Sequence, residues 1–463
     1  MSLSSSLFSG ISGLTTLGNA MQIIGDNIAN VNTVGFKSSS YSFQDLLSQS
    51  IATQSGSSQI GRGTSLGDIY STFQQGSFES TGNTTDLAIG GEGFFMLRDS
   101  NSTGEFFTRA GNFYFDRNGF MTNPQGFIVQ GWRLNTDGEN IGSIGDIQMD
   151  TFTSPPEQSD QISIITNLDS DSSSNTDILE DAWDATEDPP IDPLNYEYQT
   201  TVKVYDSLGS THDITVYYDK SDTGWEYIIA CNPDEDQRGG FNGTASAGLL
   251  ARGSIEFSDS GDITNLTMDQ CTDPGTWTTL TNTNVNGYYE FTANFLGNNA
   301  DMNIAFDIGV SSQDNGTTWV NDSISTTQYA RSSTTVFQTA NGYGAGDLQN
   351  IHVDTSGVII GAYSNGQIIP LYRVALAKFQ NNQGLYKVGG NLYRETRESG
   401  DPLTNIPGTS GLGNIAPNSL EQSNVDIANE FVKMITNQRG FQANSKIITT
   451  VDQMLSETIQ MKR

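Results

Sequence analysis

The side chains with the most reactive chemistry are few in this sequence of 463 residues, and they stand apart from one another. Its two histidines, His212 and His352, fall in predicted strands or turns, and no serine–histidine or cysteine–histidine arrangement can be assembled around either. Carboxylates are so numerous, 53 in all, that no acid–base pair stands out. The sequence therefore predicts a protein that is not an enzyme, with no catalytic and no cofactor-binding residues.

The two cysteines, Cys231 and Cys271, lie 40 positions apart. Neither has a neighbouring histidine or second cysteine, as the ligand spacing of a zinc site requires, so we expect no zinc. The sequence leaves two interpretations open, a pair of unpaired thiols or a single disulfide. The disulfide requires that the protein works in an oxidising compartment.

An acidic run from Asp169 to Asp192 contains no lysine or arginine. Five of its side chains occupy positions 1, 3, 5, 9 and 12 of a calcium-binding loop: Asp169, Asp171, Ser173, Asp177 and Glu180. Position 6 is Ser174, where such a loop requires glycine, and no helices are predicted on either side. We therefore interpret the run as a solvated surface loop and expect no metal, with calcium binding as the alternative.

Composition excludes further classes of protein. A net charge of −32 without a basic stripe repels phosphates, so we expect no nucleic-acid partner. No run of 18 apolar residues occurs, so no membrane insertion is expected, and the first residues lack the basic start of a cleavable signal peptide. The 49 glycines and the 16% of charged residues indicate turn-rich β-structure in a chain long enough for several domains.

Both ends of the chain have the spacing of long helices that pack on other helices. Apolar residues recur every three or four positions near the start, interrupted at Gly10: Leu3, Leu7, Leu14, Leu17, Met21, Ile24, Ile28 and Val31. The same spacing recurs near the end: Ile427, Phe431, Met434, Phe441, Ile448, Leu455 and Ile459. A period of 3.5 residues is typical of a coiled coil, so these residues are predicted to form an assembly seam. The sparse charge of the first segment, in which Asp26 is the one charged residue before Lys37, favours assembly with several neighbours over an ordinary hairpin within one monomer.

Between the helices, short apolar segments separated by Asn, Asp and Gly turns predict strands. The predicted fold is therefore multidomain, with terminal α-helices that pair as a coiled coil and mainly-β domains, each an antiparallel sandwich or barrel, the second inserted into the first. Four parts follow: a helical assembly domain of residues 1–35 and 425–463, an extended connector of 36–83 and 400–424, a discontinuous β-domain of 84–150 and 341–399, and an inserted outer β-domain of 151–340 with room for an extra subdomain.

Short motifs at both ends resemble the flagellar axial protein family, which includes rod and hook proteins. Asn27–Lys37 is similar to the signature that ends the N-terminal helix in that family. Leu87–Phe95 and Phe107–Phe113 resemble the following family segments, and Leu420–Asp426 with Gln438–Asn444 resemble its C-terminal helix. The residues that carry the resemblance most directly are Asn27, Asn30, Asn32, Gly35, Phe36, Lys37, Gln438, Arg439 and Asn444.

The middle of the chain resembles the hook branch of the family rather than the shorter rod proteins, through Val204–Gly209 followed by His212, and through Tyr363–Gln367. This resemblance implies a structural protein outside the cell that polymerises with itself into a curved helical tube. Such a tube acts as a universal joint and transmits torque from the rod to the filament. The implied partners are further copies of the chain, the flagellar rod, the hook cap, the hook–filament junction proteins and the type III export apparatus.

Two alternatives remain open from the sequence. The first is a distal rod protein of the same family, which the large inserted region disfavours. The second belongs to another class, a secreted monomeric calcium-binding or adhesive β-protein, and it predicts stable monomers at high concentration.

Overall fold

The computed structural model describes residues 2–46, 48–53, 56–99, 104–149, 152–175, 178–297 and 301–461, without the side chains of 2–5, 49, 51–53, 56–58 and 60. Leu3 of the predicted seam and Asp177 of the candidate calcium loop therefore lie outside the described side chains. The chain forms two compact units. Unit 1 comprises Met1–Phe152, Leu348–Ala362 and Ile368–Arg463, and unit 2 comprises Thr153–Asp347 and Tyr363–Gln367.

The described residues contain two α-helices, α1 (Ser2–Ala29) and α2 (Ile427–Gln460), with many short strands between them. The first group of strands is β1 (Ser39–Asp45), β2 (Gln49–Thr53), β3 (Gly56–Ile60), β4 (Thr64–Ser71), β5 (Phe78–Ser80), β6 (Leu87–Gly90), β7 (Phe94–Arg98), β8 (Glu105–Thr108), β9 (Tyr114–Phe115), β10 (Met121–Thr122), β11 (Ile128–Leu134) and β12 (Asn140–Asp146). The second group is β13 (Thr153–Ser154), β14 (Gln161–Asp169), β15 (Tyr198–Tyr205), β16 (Thr211–Lys220), β17 (Trp225–Cys231), β18 (Leu249–Phe257), β19 (Ile263–Asp273), β20 (Thr276–Thr279), β21 (Tyr289–Ala293), β22 (Met302–Asp307), β23 (Val310–Ser312), β24 (Trp319–Asn321), β25 (Thr327–Tyr329) and β26 (Thr334–Ala340). The third group is β27 (Gly346–Val353), β28 (Val358–Tyr363), β29 (Ile368–Val374), β30 (Leu376–Lys378), β31 (Tyr386–Gly389), β32 (Leu392–Arg394), β33 (Leu403–Asn405), β34 (Asn414–Pro417) and β35 (Ser419–Glu421).

The two helices pack against each other in antiparallel orientation. The Asn27 side chain near the end of α1 donates to the Glu430 carboxylate near the start of α2, at 3.3 Å. Towards the other end of the pair, Gly10 lies against Ile448. Asp426 begins α2 as its N-cap, because its carboxylate accepts hydrogen bonds from the backbone of Ala428 and Asn429. The predicted fold class, paired terminal helices with a mainly-β body, is confirmed.

The β-body of unit 1 is built around β11, which pairs antiparallel with β7, β12 and β29. Its central strands are buried on both faces. Phe95 of β7 belongs to one core with Val129 and Val374, whereas the neighbouring Phe94 and Met96 belong to a second core on the other face. Two further antiparallel pairs, β5 with β35 and β6 with β34, join the segment after α1 to the segment before α2. The pair of β5 with β35 therefore links the two predicted connector segments, 36–83 and 400–424.

Unit 2 contains a six-stranded antiparallel meander, β15 to β20 in sequence order, and a second sheet centred on β14. Residues from both sheets share one core, which includes Ile164, Val216, Trp225 and Phe291. Two pairings of β14, with β22 and with β25, are parallel rather than antiparallel as predicted. The chain reaches them through long connections, which parallel pairing requires and which hairpin turn signals do not reveal.

Neither long helix, and no other helix among the described residues, is both long enough and apolar enough to cross a membrane.

Candidate assembly surface and the joint that orients it

The face of α1 that is buried within the chain is lined by small and polar residues more than by the predicted seam. Its buried positions are Gly10, Gly13, Thr16, Ala20, Ile24 and Asn27. A Cβ added to Gly10 would lie 3.0 Å from Ile448 Cγ1, and one added to Gly13 would lie 2.8 Å from Asn444 Nδ2. The two helices therefore approach each other closely at Gly10, where the apolar spacing of α1 is interrupted.

The predicted seam residues of α1 flank this line of contact. Ile24 is fully buried, whereas the others whose side chains are described are half-buried: Leu7, Leu14, Leu17, Met21, Ile28 and Val31. These side chains are thus shared between the interior and the surface of a single chain.

The predicted seam of α2 divides between two sides of the helix. Met434, Ile448 and Leu455 are half-buried, whereas four others are exposed: Ile427, Phe431, Phe441 and Ile459. The residues of α2 that are fully buried are Glu430, Asn437 and Val451. One chain therefore leaves much of the apolar surface of α2 in water.

The first three turns of α2 carry a compact exposed patch, which we name the α2 patch: Ala428, Phe431, Val432 and Ile435. The exposed fractions of Phe431, Val432 and Ile435 are 47%, 63% and 50%. Spacings of three, four and seven residues place these side chains on one face of the helix. Exposed apolar side chains grouped on one face of a helix are typical of a protein-interaction site.

A hairpin of β1 and β4 is attached along α1 by hydrogen bonds. The Thr16 hydroxyl donates to the Thr64 carbonyl at 3.1 Å, and the Ser12 hydroxyl accepts from the Thr64 amide at 3.2 Å. Asn27 of the family motif exchanges two 2.8 Å hydrogen bonds with the backbone of Ser39. Asn27 also reaches Glu430, so one buried amide connects α1, the hairpin and α2.

A buried cluster of charges joins the segments at which the helices meet the β-body, and we name it the joint. Lys37 Nζ lies 2.6 Å from Glu421 Oε1, and Arg109 lies 3.4 Å from Glu421 Oε2. Lys37 also donates to the Gln74 carbonyl at 2.8 Å, and the Gly76 amide donates to Glu421. Burial lowers the pKa of the Lys37 ammonium, although the Glu421 carboxylate opposes this shift.

Backbone geometry at Gly35 brings the joint together. Gly35 has a φ of +68°, and a Cβ there would lie 2.6 Å from the Ala110 amide nitrogen. Its own amide donates to the Glu421 carbonyl at 2.7 Å. Beside it, Asn391 donates to the Val34 carbonyl at 2.7 Å. Only glycine combines this backbone conformation with so close an approach.

The remaining residues of the family motif lie in different parts of unit 1. Phe36 is buried beneath the Lys387 ammonium, whose nitrogen lies 5.9 Å from the ring centroid. Asn30 caps the end of α1 through bonds to Asp26 and Thr33, and Asn444 lies against Gly13. Asn32, Gln438 and Arg439 are exposed. The motif thus serves both the joint and an open surface.

The predicted site does not include Arg109 and Glu421 of the joint, or the nearby Asn424. Asn424 accepts from the Ser38 amide at 2.8 Å and donates to the Thr72 carbonyl at 2.7 Å. A usable signal for the joint was charge in otherwise uncharged segments, since Lys37 follows 36 residues in which Asp26 is the one charged side chain.

Unit 2 contains three of the residues with reactive side chains: His212, Cys231 and Cys271. His212 Nδ1 lies 2.6 Å from Glu235, and the imidazole stacks on Phe295 at 4.0 Å. Cys231 and Cys271 are both buried, unpaired thiols, and burial raises the pKa of each. The other histidine, His352, belongs to unit 1 and is exposed in β27.

The acidic run is packed more closely than a solvated loop. Leu179, Trp183 and Ile191 are buried, and they share an apolar cluster with Ile228 and Leu249 of the six-stranded sheet. The prediction of a fully solvated loop is therefore wrong for these positions, because apolar side chains alternate with the carboxylates and anchor the segment. Within the described residues, which exclude Asp177, no three potential ligands are grouped so that they could hold a metal ion.

Comparison with protein families matches four stretches of the chain. Residues 7–37 match the family "Flagella basal body rod protein", and residues 416–461 match "Flagellar basal body rod FlgEFG protein C-terminal". Residues 88–167 match "Flagellar hook protein FlgE/F/G D1 domain", and residues 167–343 match "Flagellar basal body protein FlaE D2 domain". Two paired terminal helices that carry a mainly-β body of this kind define a structural protein of the flagellar axis.

Whole-length relatives narrow this class. The flagellar hook protein FlgE of Borreliella burgdorferi is 33% identical, and that of Treponema pallidum is 32% identical, with 99% of both chains covered in each case. A crystal structure of the Helicobacter pylori flagellar hook protein FlgE2 covers 74% of this chain and 100% of its own, at 16% identity and a TM-score of 0.45. The chain belongs to the flagellar hook protein family.

Proposed function

We propose that this chain is a structural subunit of the bacterial flagellar hook. It polymerises with copies of itself into a curved helical tube that transmits torque from the rod to the filament as a universal joint. The observation that carries the proposal is the α2 patch, an apolar face left open on a helix whose opposite side is already packed. A neighbouring copy would bury this face, and a heterologous contact that repeats without closing builds an open helix.

The arrangement proposed for the tube follows the distribution of charge. The helical assembly domain, 1–35 and 425–463, lines the central channel, the β-domain of 84–150 and 341–399 surrounds it, and residues 151–340 lie outermost. Residues 153–347 contain 31 acidic and 5 basic side chains, a net charge of −26 out of the −32 of the chain. Residues 1–35 contain one charged side chain, Asp26. Residues 425–463 contain nine charged side chains with a net charge of +1. A strongly acidic region suits a surface in water and a nearly neutral region suits burial, which supports this order.

The location and partners proposed here rest on family membership. The subunit works outside the cell, reaches that place through the type III export apparatus, and meets the rod, the hook cap and the hook–filament junction proteins at different ends of the tube. Its role is structural, and none of its residues is assigned a catalytic or cofactor-binding function.

Concentration of the purified full chain, followed by electron microscopy and pelleting, tests the proposal. We expect tubes of constant diameter in equilibrium with monomers above a critical concentration. Monodisperse monomers at every concentration and salt condition would overturn it. Stabilisation of such monomers by calcium would instead support the secreted β-protein alternative.

A further inference from the structure

A groove of about 700 Å³ runs beside α1, where the helix meets the β1–β4 hairpin and β31. Its apolar lining includes Ile23 of α1 with Leu66 and Ile69 of β4. Ile69 is 53% exposed, so the described chain leaves the groove open. The charged groups that face it are Asp26 and Lys387, and Lys387 already donates to the Ser39 hydroxyl at 3.1 Å.

The outer face of α1 next to the groove has the spacing of a second helix-packing seam. Positions alternate by three and four residues, and all are exposed: Ile11, Thr15, Gly18, Gln22, Gly25 and Ala29. A Cβ added to Gly18 or Gly25 would meet no atom within 4 Å. Glycine inside a helix is destabilising relative to alanine, and a single chain offers no compensation for it here. Close approach of another helix would supply that compensation.

Resting on the proposed function, we propose that the α2 patch of one copy docks in the groove of the next copy. Phe431 and Ile435 would then cover Ile23 and Ile69, and the face that carries Gly18 and Gly25 would receive the backbone of the incoming helix. Each chain has one patch and one groove, which is the arrangement that an open heterologous series requires. Each α1 would thereby lie between the α2 of its own chain and the α2 of a neighbour.

Opposite charges determine the orientation in which the α2 patch docks in the groove. Arg439 lies one turn after Ile435, is exposed, and has no hydrogen-bond or ion-pair partner in the part of the chain that the structure describes. Asp26 is exposed at the groove, where its side chain accepts a hydrogen bond from Asn30. Its charge also acts on the nearby Lys387 ammonium, although the two form no ion pair in the part of the chain that the structure describes. The Arg439 guanidinium of one copy therefore meets the Asp26 carboxylate of the next, because opposite charges at an interface select register and exclude reversed docking.

Charge reversal tests the pairing in the full chain. We expect Asp26→Arg and Arg439→Asp each to raise the critical concentration for tube formation several-fold, about fivefold or more. The double variant restores the pair with opposite polarity in every copy, and we expect its critical concentration to return to within about twofold of the original. A double variant no better than the single variants would overturn the pairing.

Apolar variants test the docking itself. Ile435→Asp in the patch and Ile69→Asp in the groove are each expected to raise the critical concentration at least about tenfold, since each places a carboxylate in an apolar contact. Mixed together, the two variants retain one intact patch and one intact groove, so we expect 1:1 dimers that do not extend. Leu403→Asp is the matched control, because Leu403 is 64% exposed on β33 and does not line the groove.

The outcomes separate this inference from the proposed function. Normal tubes from both Ile435→Asp and Ile69→Asp would overturn the docking contact and leave the hook assignment standing. Absence of tubes from the unaltered chain would overturn the hook assignment and the docking contact together. All the substituted side chains are exposed in the monomer, so unchanged circular dichroism and melting temperature verify that each variant is folded.

Discussion

Lys37 and Glu421 form a 2.6 Å ion pair in which neither side chain is exposed to solvent, although the two residues are 384 positions apart. Arg109 of the β-body approaches the same carboxylate at 3.4 Å. One buried carboxylate thus balances two buried cations, one from the end of the first-helix motif and one from the β-body. The pair fixes the point from which both terminal helices leave the body.

Removing the carboxylate should weaken the joint strongly. We expect Glu421→Gln to destabilise unit 1 by about 3–5 kcal/mol, because it leaves two buried cations without their counter-charge. Amide exchange of unit 1 peptides measures the loss. Glu79→Gln is the control, since Glu79 is an exposed carboxylate on the strand that pairs with β35 and should change stability by less than about 0.5 kcal/mol. Equal effects of both variants would contradict a special role for the joint.

Gly35→Ala should be costly for a different reason. Its left-handed backbone disfavours any Cβ, and this Cβ would also meet the Ala110 amide at 2.6 Å. We expect a loss of at least about 2 kcal/mol in the unfolding free energy of unit 1, measured by denaturant titration. Gly82→Ala should leave stability unchanged or slightly higher, because a Cβ there meets nothing within 4 Å. A tolerated Gly35→Ala would show that the backbone at this point is free to relax.

Helix positions were predictable from sequence, whereas the contacts of each helix were not. The 3.5-residue period is a local property, so it revealed both α1 and α2. It marked the apolar positions but could not show that Gly10 and Gly13 permit the closest approach to Ile448 and Asn444. The period also could not show that Phe431 is exposed while Ile448 is half-buried, because these exposures depend on how α2 is aligned against α1.

The joint illustrates a second limit. Asn27–Lys37 and Leu420–Asp426 were both singled out by resemblance, but their contact requires the antiparallel pairing of β5 with β35, which no local pattern specifies. In the acidic run, the local pattern was misleading. Its many carboxylates predicted a fully solvated loop, whereas the apolar side chains of Leu179, Trp183 and Ile191 between them are buried and determine how the segment packs.

Unit 2 should become acid-sensitive through Asp206. Burial alone would raise the pKa of this carboxyl, but hydrogen bonds from the Ser210 and Leu208 amides and from His212 outweigh burial and hold the pKa below the ordinary 3.8. A depressed folded pKa contributes stability above the unfolded pKa, and that stability is lost as pH falls through the folded pKa.

The measurement is the melting temperature of Asp206→Asn and of the unaltered chain at pH 7, 4.5 and 3. We expect the variant to melt lower at pH 7. The gap should narrow as pH falls below the ordinary pKa of 3.8, because the unfolded carboxyl gains its proton there and the folded carboxyl gains it at lower pH. Asp259→Asn, at an exposed position, should show no such gap. A gap that is constant with pH would contradict the role given to the Asp206 charge.

Assembly should be favoured by salt. Residues 153–347 carry a net charge of −26, so neighbouring copies in a tube repel one another. Raising the ionic strength shortens the screening length from about 10 Å at 0.1 M to about 3 Å at 1 M. We therefore expect the critical concentration to fall several-fold between 0.1 and 0.5 M sodium chloride, measured by pelleting. A non-ionic solute at matched osmolality should not reproduce the effect, and a rising critical concentration would show that attractive ion pairs outweigh the repulsion.

The terminal helices should be less protected in the monomer than in the tube. In α2 the described buried residues are Glu430, Asn437 and Val451, and few buried contacts imply low local stability. We expect the backbone amides of α2 to exchange at least about tenfold faster than those of β7 and β11 in the monomer, and to become protected on polymerisation. The Ile435→Asp and Leu403→Asp variants provide the comparison, since the first should keep fast exchange at concentrations where the second assembles. Slow exchange of α2 in the monomer would mean that its pairing with α1 is sufficient for its stability, and the open face would then contribute to assembly without ordering the helix.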